Sequence, residues 1–265
     1  MSTFWETVTI PLGETRHWQI SLLDLWVQRR EGEWRVWHKI KQGAEFEDRY
    51  SLAEISAEPE ESGHIRYAFD DDQTDLRIEP RFPDRPIISY PGSPVIVPPQ
   101  CEASFVCGIP LGIELIAGSG ASSIPLTTLP LRRLSKTWFG SPQEGEACYS
   151  SSTEAVRDFR EIAANKYRAL CPLKVTNKTN SPLPIERICI HVEHLQLLNG
   201  RENLWTNEVY VKKESVYETS QVSYGSGAPS VDPDATMKLS PRVVPPHSRL
   251  FLKTFNQLKT ALGSS

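Results

Sequence analysis

Cys189, His191 and Glu193 alternate with Ile188, Ile190 and Val192 inside the run PIERICIHVEHLQLL, residues 184–198. Thiol, imidazole and carboxylate are the side chains that hold zinc, and on an extended strand this alternation sets them along one face with neighbours about 6 to 7 Å apart. Zinc also needs groups converging from elsewhere. The chain has no CxxC, and His194 projects from the opposite strand face. We therefore expect a polar sheet face at this place, with no bound metal and no cofactor.

Other suggestive stretches carry less. Asp70, Asp71, Asp72 and Asp75 lack the alternation and the glycine of an EF-hand and read as a solvated turn, and Glu58, Glu60 and Glu61 as a charged loop. AGSGASS, residues 117–123, has neither the glycine spacing of a dinucleotide loop nor the Lys-Ser/Thr pair of a P-loop. No GxSxG elbow and no HExxH helix occurs. Carboxylates are plentiful, but no spacing selects two at the separation a glycosidase needs. The five cysteines fall at irregular spacings, which fits reduced and mostly buried thiols. Cys101 and Cys107 lie too far apart along one strand to bond. Asn177-Lys178-Thr179 matches a glycosylation acceptor and reads as a turn. We assign no catalytic residue.

The candidate binding site is aromatic. Residues 23–40, LDLWVQRREGEWRVWHKI, fold on paper into one hairpin if Glu31 and Gly32 form the turn. A two-residue loop fixes every partner. Val27 then faces Val36, Leu25 faces His38 and Leu23 faces Ile40, while Trp26 with Trp37, Gln28 with Arg35 and Asp24 with Lys39 occupy the other face. Trp26 and Trp37, flanked by Asp24, Arg35 and Lys39, make a platform suited to a protein partner, a second copy of the chain or a sugar ring. The alternative is that another element, such as the segment around Trp5, covers them.

The rest of the chain supplies the elements that hold such a site. The 21 prolines and 15 glycines interrupt short runs rich in Val, Ile, Tyr, Phe and Trp, the punctuation of many short strands. Asn199-Gly200 has the composition of a tight hairpin turn. STEAVRDFREIAANKYRAL, residues 152–170, breaks the pattern: Ala155, Phe159 and Ile162 recur at helical spacing, predicting about three helical turns. Residues 255–262 suggest a short terminal helix. We expect an all-β chain of two antiparallel β-sandwich or partial-barrel domains, an N-terminal one at 1–150 and a C-terminal one at 171–265, with a helical connector at 151–170.

Two stretches, HWQISLLDLWVQRREGEWRVWH at 17–38 and LSKTWFGSPQEGEACY at 134–149, resemble the prokaryotic family called domain of unknown function 432. The family pattern is a His-Trp strand entering a Trp-rich hairpin, then a Thr-Trp-Phe-Gly segment and a Cys-Tyr pair. Order and spacing extend the resemblance over most of the chain. It implies no reaction, because that family has no assigned catalytic residues.

With 39% hydrophobic and 23% charged residues the composition is that of a folded globular protein. A net charge of −4 disfavours nucleic acid, whose binding rests on clustered Lys and Arg. The N-terminus has no basic start leading into an apolar run, and no stretch approaches the length needed to span a bilayer. The expectation is a cytoplasmic binding or regulatory module acting through protein contact or self-association. A carbohydrate-active enzyme is the alternative.

Overall fold

The computed structural model describes residues 5, 7–42, 50–53, 63–69, 74–118, 120, 123–150, 155–162, 166–215, 219–245, 250–252 and 254–255. The acidic turn at 70–72, the glutamates at 58–61 and, apart from Phe255, the terminal helix expected at 255–262 lie outside them. The fold is all-β. Among the described residues no helix is long and apolar enough to cross a membrane.

The chain packs as two compact units, Met1–Phe82 with Pro110–Arg133, and Pro83–Ile109 with Leu134–Ser265. This differs from the linear division expected at 151–170. Strand pairing is the cause: Gly112–Ala117 lies between Asp75–Arg81 and Ile124–Pro130 in a sheet of the first unit, while Glu102–Pro110 pairs with Arg168–Asn177 in the second.

In the first unit a five-stranded sheet runs Tyr50–Ala53, Thr15–Ile20, Leu23–Arg30, Glu33–Ile40, Ile65–Ala68. Its central hairpin has the expected register, with Trp26 opposite Trp37, Asp24 opposite Lys39 and Val27 opposite Val36. Gly32 supports the turn at φ +66°, a conformation that costs other residues a Cβ clash. Leu23, Leu25, Val27, Val36, Trp18 and Trp34 are buried on or beside this hairpin.

The second unit holds an eight-stranded sheet. Its path runs Thr236–Leu239, Leu197–Asn199, Leu204–Thr206, Arg168–Asn177, Val209–Lys213, Ser220–Tyr224, Leu250–Leu252, with Glu102–Pro110 joining at Arg168–Asn177. A four-stranded sheet runs Ser135–Phe139, Glu146–Ser150, Ile87–Ser89, Ile188–Ile190. Most pairings are antiparallel, but Arg168–Asn177 runs parallel to two neighbours and Glu146–Ser150 runs parallel to Ile87–Ser89.

Three local expectations need correction. The helix predicted at 152–170 reduces, among its described residues, to one 3-10 turn at Phe159–Glu161, capped by Asp158. Ala155 and Val156 instead commit their backbone to strand contacts, Ala155 donating to the Tyr90 carbonyl and Val156 exchanging bonds with Val106. Long-range pairing there outcompetes local helical periodicity. The single strand expected at 184–198 breaks into Leu183–Ile185, Ile188–Ile190, a 3-10 turn at Val192–His194, and Leu197–Asn199. The turn after Asn199 is wider than two residues, because Asn199 pairs with Leu204. Gly200 serves close approach there: a Cβ on it would sit 2.2 Å from the Asp232 carboxylate and 2.7 Å from the Trp205 ring.

Candidate functional site

The four-stranded sheet of the second unit brings together two pairs of side chains that are far apart in sequence. Ile87–Ser89 lies between Glu146–Ser150 and Ile188–Ile190, with Tyr149 and Ile190 both opposite Ile87. Side chains alternate with period two, so Glu146 and Cys148 from one outer strand share a face with Cys189 and the following His191 from the other. Ile87, Ile88, Ile188 and Ile190 are fully buried and anchor the strands.

The groups converge closely. Cys189 Sγ lies 4.0 Å from His191 Nε2, and His191 Nε2 lies 3.6 Å from Glu146 Oε1. One ligand atom from each of Glu146, Cys189 and His191 falls within 4.8 Å of the other two. The Cys148 thiol donates to the Glu146 backbone carbonyl at 3.6 Å, and Cys148, Cys189, Ile88 and Phe139 form one buried cluster with Tyr90 against it. The other ring nitrogen of His191 lies 3.7 Å from Glu193 Oε1. Cys148, Cys189 and His191 are buried; the Glu146 side chain is 38% exposed and opens the cluster to solvent.

The electrostatics separate the two thiols. The neighbouring Cys189 thiol holds the Cys148 thiol below its ordinary pKa against the opposing effect of burial. The same contact, together with burial, pushes Cys189 well above the usual thiol value. Burial is the largest single effect on Glu193 and works to raise it, but the contact with His191, a backbone hydrogen bond and the charges of His191 and His194 together outweigh it and leave the carboxyl below its ordinary range. By contrast Cys107 and Cys171 are fully buried, and desolvation raises both, Cys171 to about 12. Those two are inert core thiols. Cys101 is exposed and the other four cysteines are buried, which agrees with mostly buried thiols.

Sequence reasoning found Cys189, His191 and Glu193 but not Glu146 or Cys148. The available signal was the matching Glu-x-Cys and Cys-x-His spacing. Nothing local says that the two pairs meet. Gly145 sets where Glu146 begins: a Cβ there would lie 2.1 Å from the Trp138 indole nitrogen and 2.6 Å from the carbonyl oxygens of Phe139 and Ser141. Trp138 lies 46% exposed over this turn, and its indole donates to the Ser141 carbonyl at 3.0 Å. Gly145→Ala is expected to cost about 1 to 3 kcal/mol of stability through overpacking. Gly227→Ala, at φ +86° in open space, should cost about 1 kcal/mol from backbone conformation alone. Thermal unfolding of the two variants checks the difference.

The aromatic site of the first unit is placed differently from an open platform. Trp37 is 5% exposed and Asp24 equally buried, while Trp26 is half-buried under the stacked ring of His17, with centroids 4.3 Å apart. His64 packs on Trp37 at 4.9 Å. Asp24 forms ion pairs with Lys41 at 2.9 Å and His17 at 3.4 Å, although its backbone partner is Lys39, which is exposed. Arg35 is half-buried and joins Arg66 in pairing with Glu33, and these two arginines hold the Glu33 carboxyl below its usual range, Arg66 contributing most. His17 and His64 each pack a ring against this face.

The second unit carries a cleft of about 600 Å³. It opens between the two end strands of the eight-stranded sheet: Met237 comes from one, Leu250 from the other, and Val222, Tyr224 and Val244 line the space between. Its polar frame is built from fixed contacts. Asn207 accepts from the Gln196 backbone and donates to the Gly225 carbonyl, each at 2.9 Å, and the His194 ring meets the Val243 carbonyl at 3.0 Å. Met237 at 54% and Val244 at 78% are among the most exposed large apolar residues described.

A family model described as a protein of unknown function (DUF432) matches residues 4–259. No curated protein and no solved structure matches the chain.

Proposed function

The chain belongs to that family of unknown function, DUF432, and from this premise we propose that it is a protein-binding module whose partner contributes an extended, apolar segment to the cleft of the second unit. The observation that carries the reading is the pairing of an open strand edge with exposed apolar side chains. Thr236–Leu239 ends its sheet and pairs only with Leu197–Asn199 among the described residues. An edge strand offers unpaired N–H and C=O groups, and natural proteins blunt such edges unless they are used. An added strand satisfies those groups, and pockets for alternate side chains give selectivity. Met237, Val222, Leu250 and Val244 supply the apolar contacts, with His194, Gln196 and Asn207 as a rigid polar rim.

The test is selection of extended peptides from a displayed library on the full-length chain, with the affinity of the winners remeasured on Met237→Lys and Val244→Asp. Both positions are exposed, so the fold is expected to survive. Binding should weaken by roughly 2 kcal/mol or more, the scale of an interface centre. Peptides that bind both variants as tightly as the parent would move the interaction elsewhere, and sedimentation of the same variants reads out any self-association through this edge.

A further inference from the structure

We propose that Glu146, Cys148, Cys189 and His191 form a binding site for one zinc-type divalent ion. Four donors of the types zinc prefers stand on one face of the sheet; Glu146, Cys189 and His191 place ligand atoms within 4.8 Å of one another, and Cys148 stands beside Cys189 in the same buried cluster. Ligand bonds of about 2.0 to 2.3 Å in a tetrahedron set donors roughly 3.3 to 3.8 Å apart. The observed separations are 3.6 Å between Glu146 and His191 and 4.0 Å between Cys189 and His191. To serve as the fourth ligand the Cys148 thiol exchanges its contact with the Glu146 carbonyl for the ion.

A second observation points the same way. His191 turns Nε2 toward Cys189 and Glu146 while its Nδ1 faces the Glu193 carboxylate at 3.7 Å. A carboxylate behind a histidine fixes the tautomer that leaves the other nitrogen free to coordinate, the usual outer-shell arrangement of a zinc ligand. Beneath the donors the cluster is apolar, with Ile88 and Phe139 fully buried. Two sulfurs in the set exclude magnesium and calcium, which take oxygen ligands, and favour borderline or soft ions. The expectation of no metal rested on one strand offering too few groups; Glu146 and Cys148 remove that objection. Binding transfers the thiol protons to solvent, so affinity falls as pH falls.

Cobalt(II) is the probe. The fully reduced full-length chain is expected to bind one equivalent, with thiolate-to-cobalt charge-transfer absorption and tetrahedral visible bands, both abolished by one equivalent of zinc. Cys148→Ser and Cys189→Ser should each reduce the charge-transfer intensity by about half, and Glu193→Gln, behind the ligand, should weaken binding about 10- to 100-fold. The parent spectrum itself counts thiolate ligands, so the proposal stays testable if a cysteine variant fails to fold. Three results would overturn it: no one-to-one binding by the reduced chain, an octahedral spectrum without sulfur bands, or charge transfer that both serine variants leave unchanged. Isolation of a Cys148–Cys189 disulfide whose reduced form takes up no cobalt would overturn it equally, and would make the pair a redox couple.

Discussion

Replacing Trp37 by Ala should destabilise the chain by about 3 to 5 kcal/mol and leave its state of association unchanged. The side chain is 5% exposed, sits opposite Trp26 in the central hairpin and carries His64 against its ring. Truncation opens a cavity where a large aromatic was packed, and the loss combines the transfer free energy with unfilled volume. Such a loss is a large fraction of the stability of an ordinary domain. The same residue as an exposed interface centre would behave in the opposite way, with a normal unfolding midpoint and weakened association. Urea unfolding and sedimentation on one preparation of Trp37→Ala distinguish them. Intact stability with lost association would restore the aromatic face as a binding surface. Trp26, half-buried under His17, should show a smaller loss.

Asn177→Ala is expected to cost on the order of 3 kcal/mol, out of proportion to the size of the side chain. Asn177 is fully buried. Its amide nitrogen donates to the carbonyls of Val97, Pro98 and Ser181 at 3.0, 3.1 and 2.9 Å. Its carbonyl oxygen accepts from the Thr179 backbone at 3.0 Å and hydroxyl at 2.7 Å. One side chain therefore ties the end of Arg168–Asn177 to the Val95–Val97 strand and to the turn that follows. Alanine leaves several buried polar groups without partners, and each such group costs about 1 to 3 kcal/mol, partly recovered by relaxation or entering water. Asn177→Asp should also destabilise, because the new oxygen faces carbonyls rather than donors. Chemical denaturation of both variants checks this, and a loss below about 1 kcal/mol in each would show that water replaces the side chain freely. The same burial explains why the Asn-Lys-Thr sequence is a structural turn: a glycan has no access to a fully buried amide.

The sequence carried the hairpin at residues 23–40 down to each cross-strand pair, because a two-residue turn and period-two alternation are local rules that leave one register. The same rules located most short strands, though not their order. They failed at 152–170, where the periodicity of Ala155, Phe159 and Ile162 was real but Val156 found backbone partners at Val106. They failed again at 184–198, where the alternation was correct only over Ile188–Ile190 and the following turn sets the positions of Glu193 and His194.

What the sequence by itself determined is therefore the all-β character, the hairpin register and His191 with two of its neighbours, Cys189 and Glu193. The tertiary structure alone decided that Trp37 is covered, that residues 110–133 pack with the N-terminal unit, and that Glu146 and Cys148 meet Cys189 and His191 across Ile87–Ser89. The reason is common to all three. Strand periodicity fixes the face on which a side chain stands, whereas which strands become neighbours depends on burial and backbone pairing summed over the whole unit, and no local spacing records that sum.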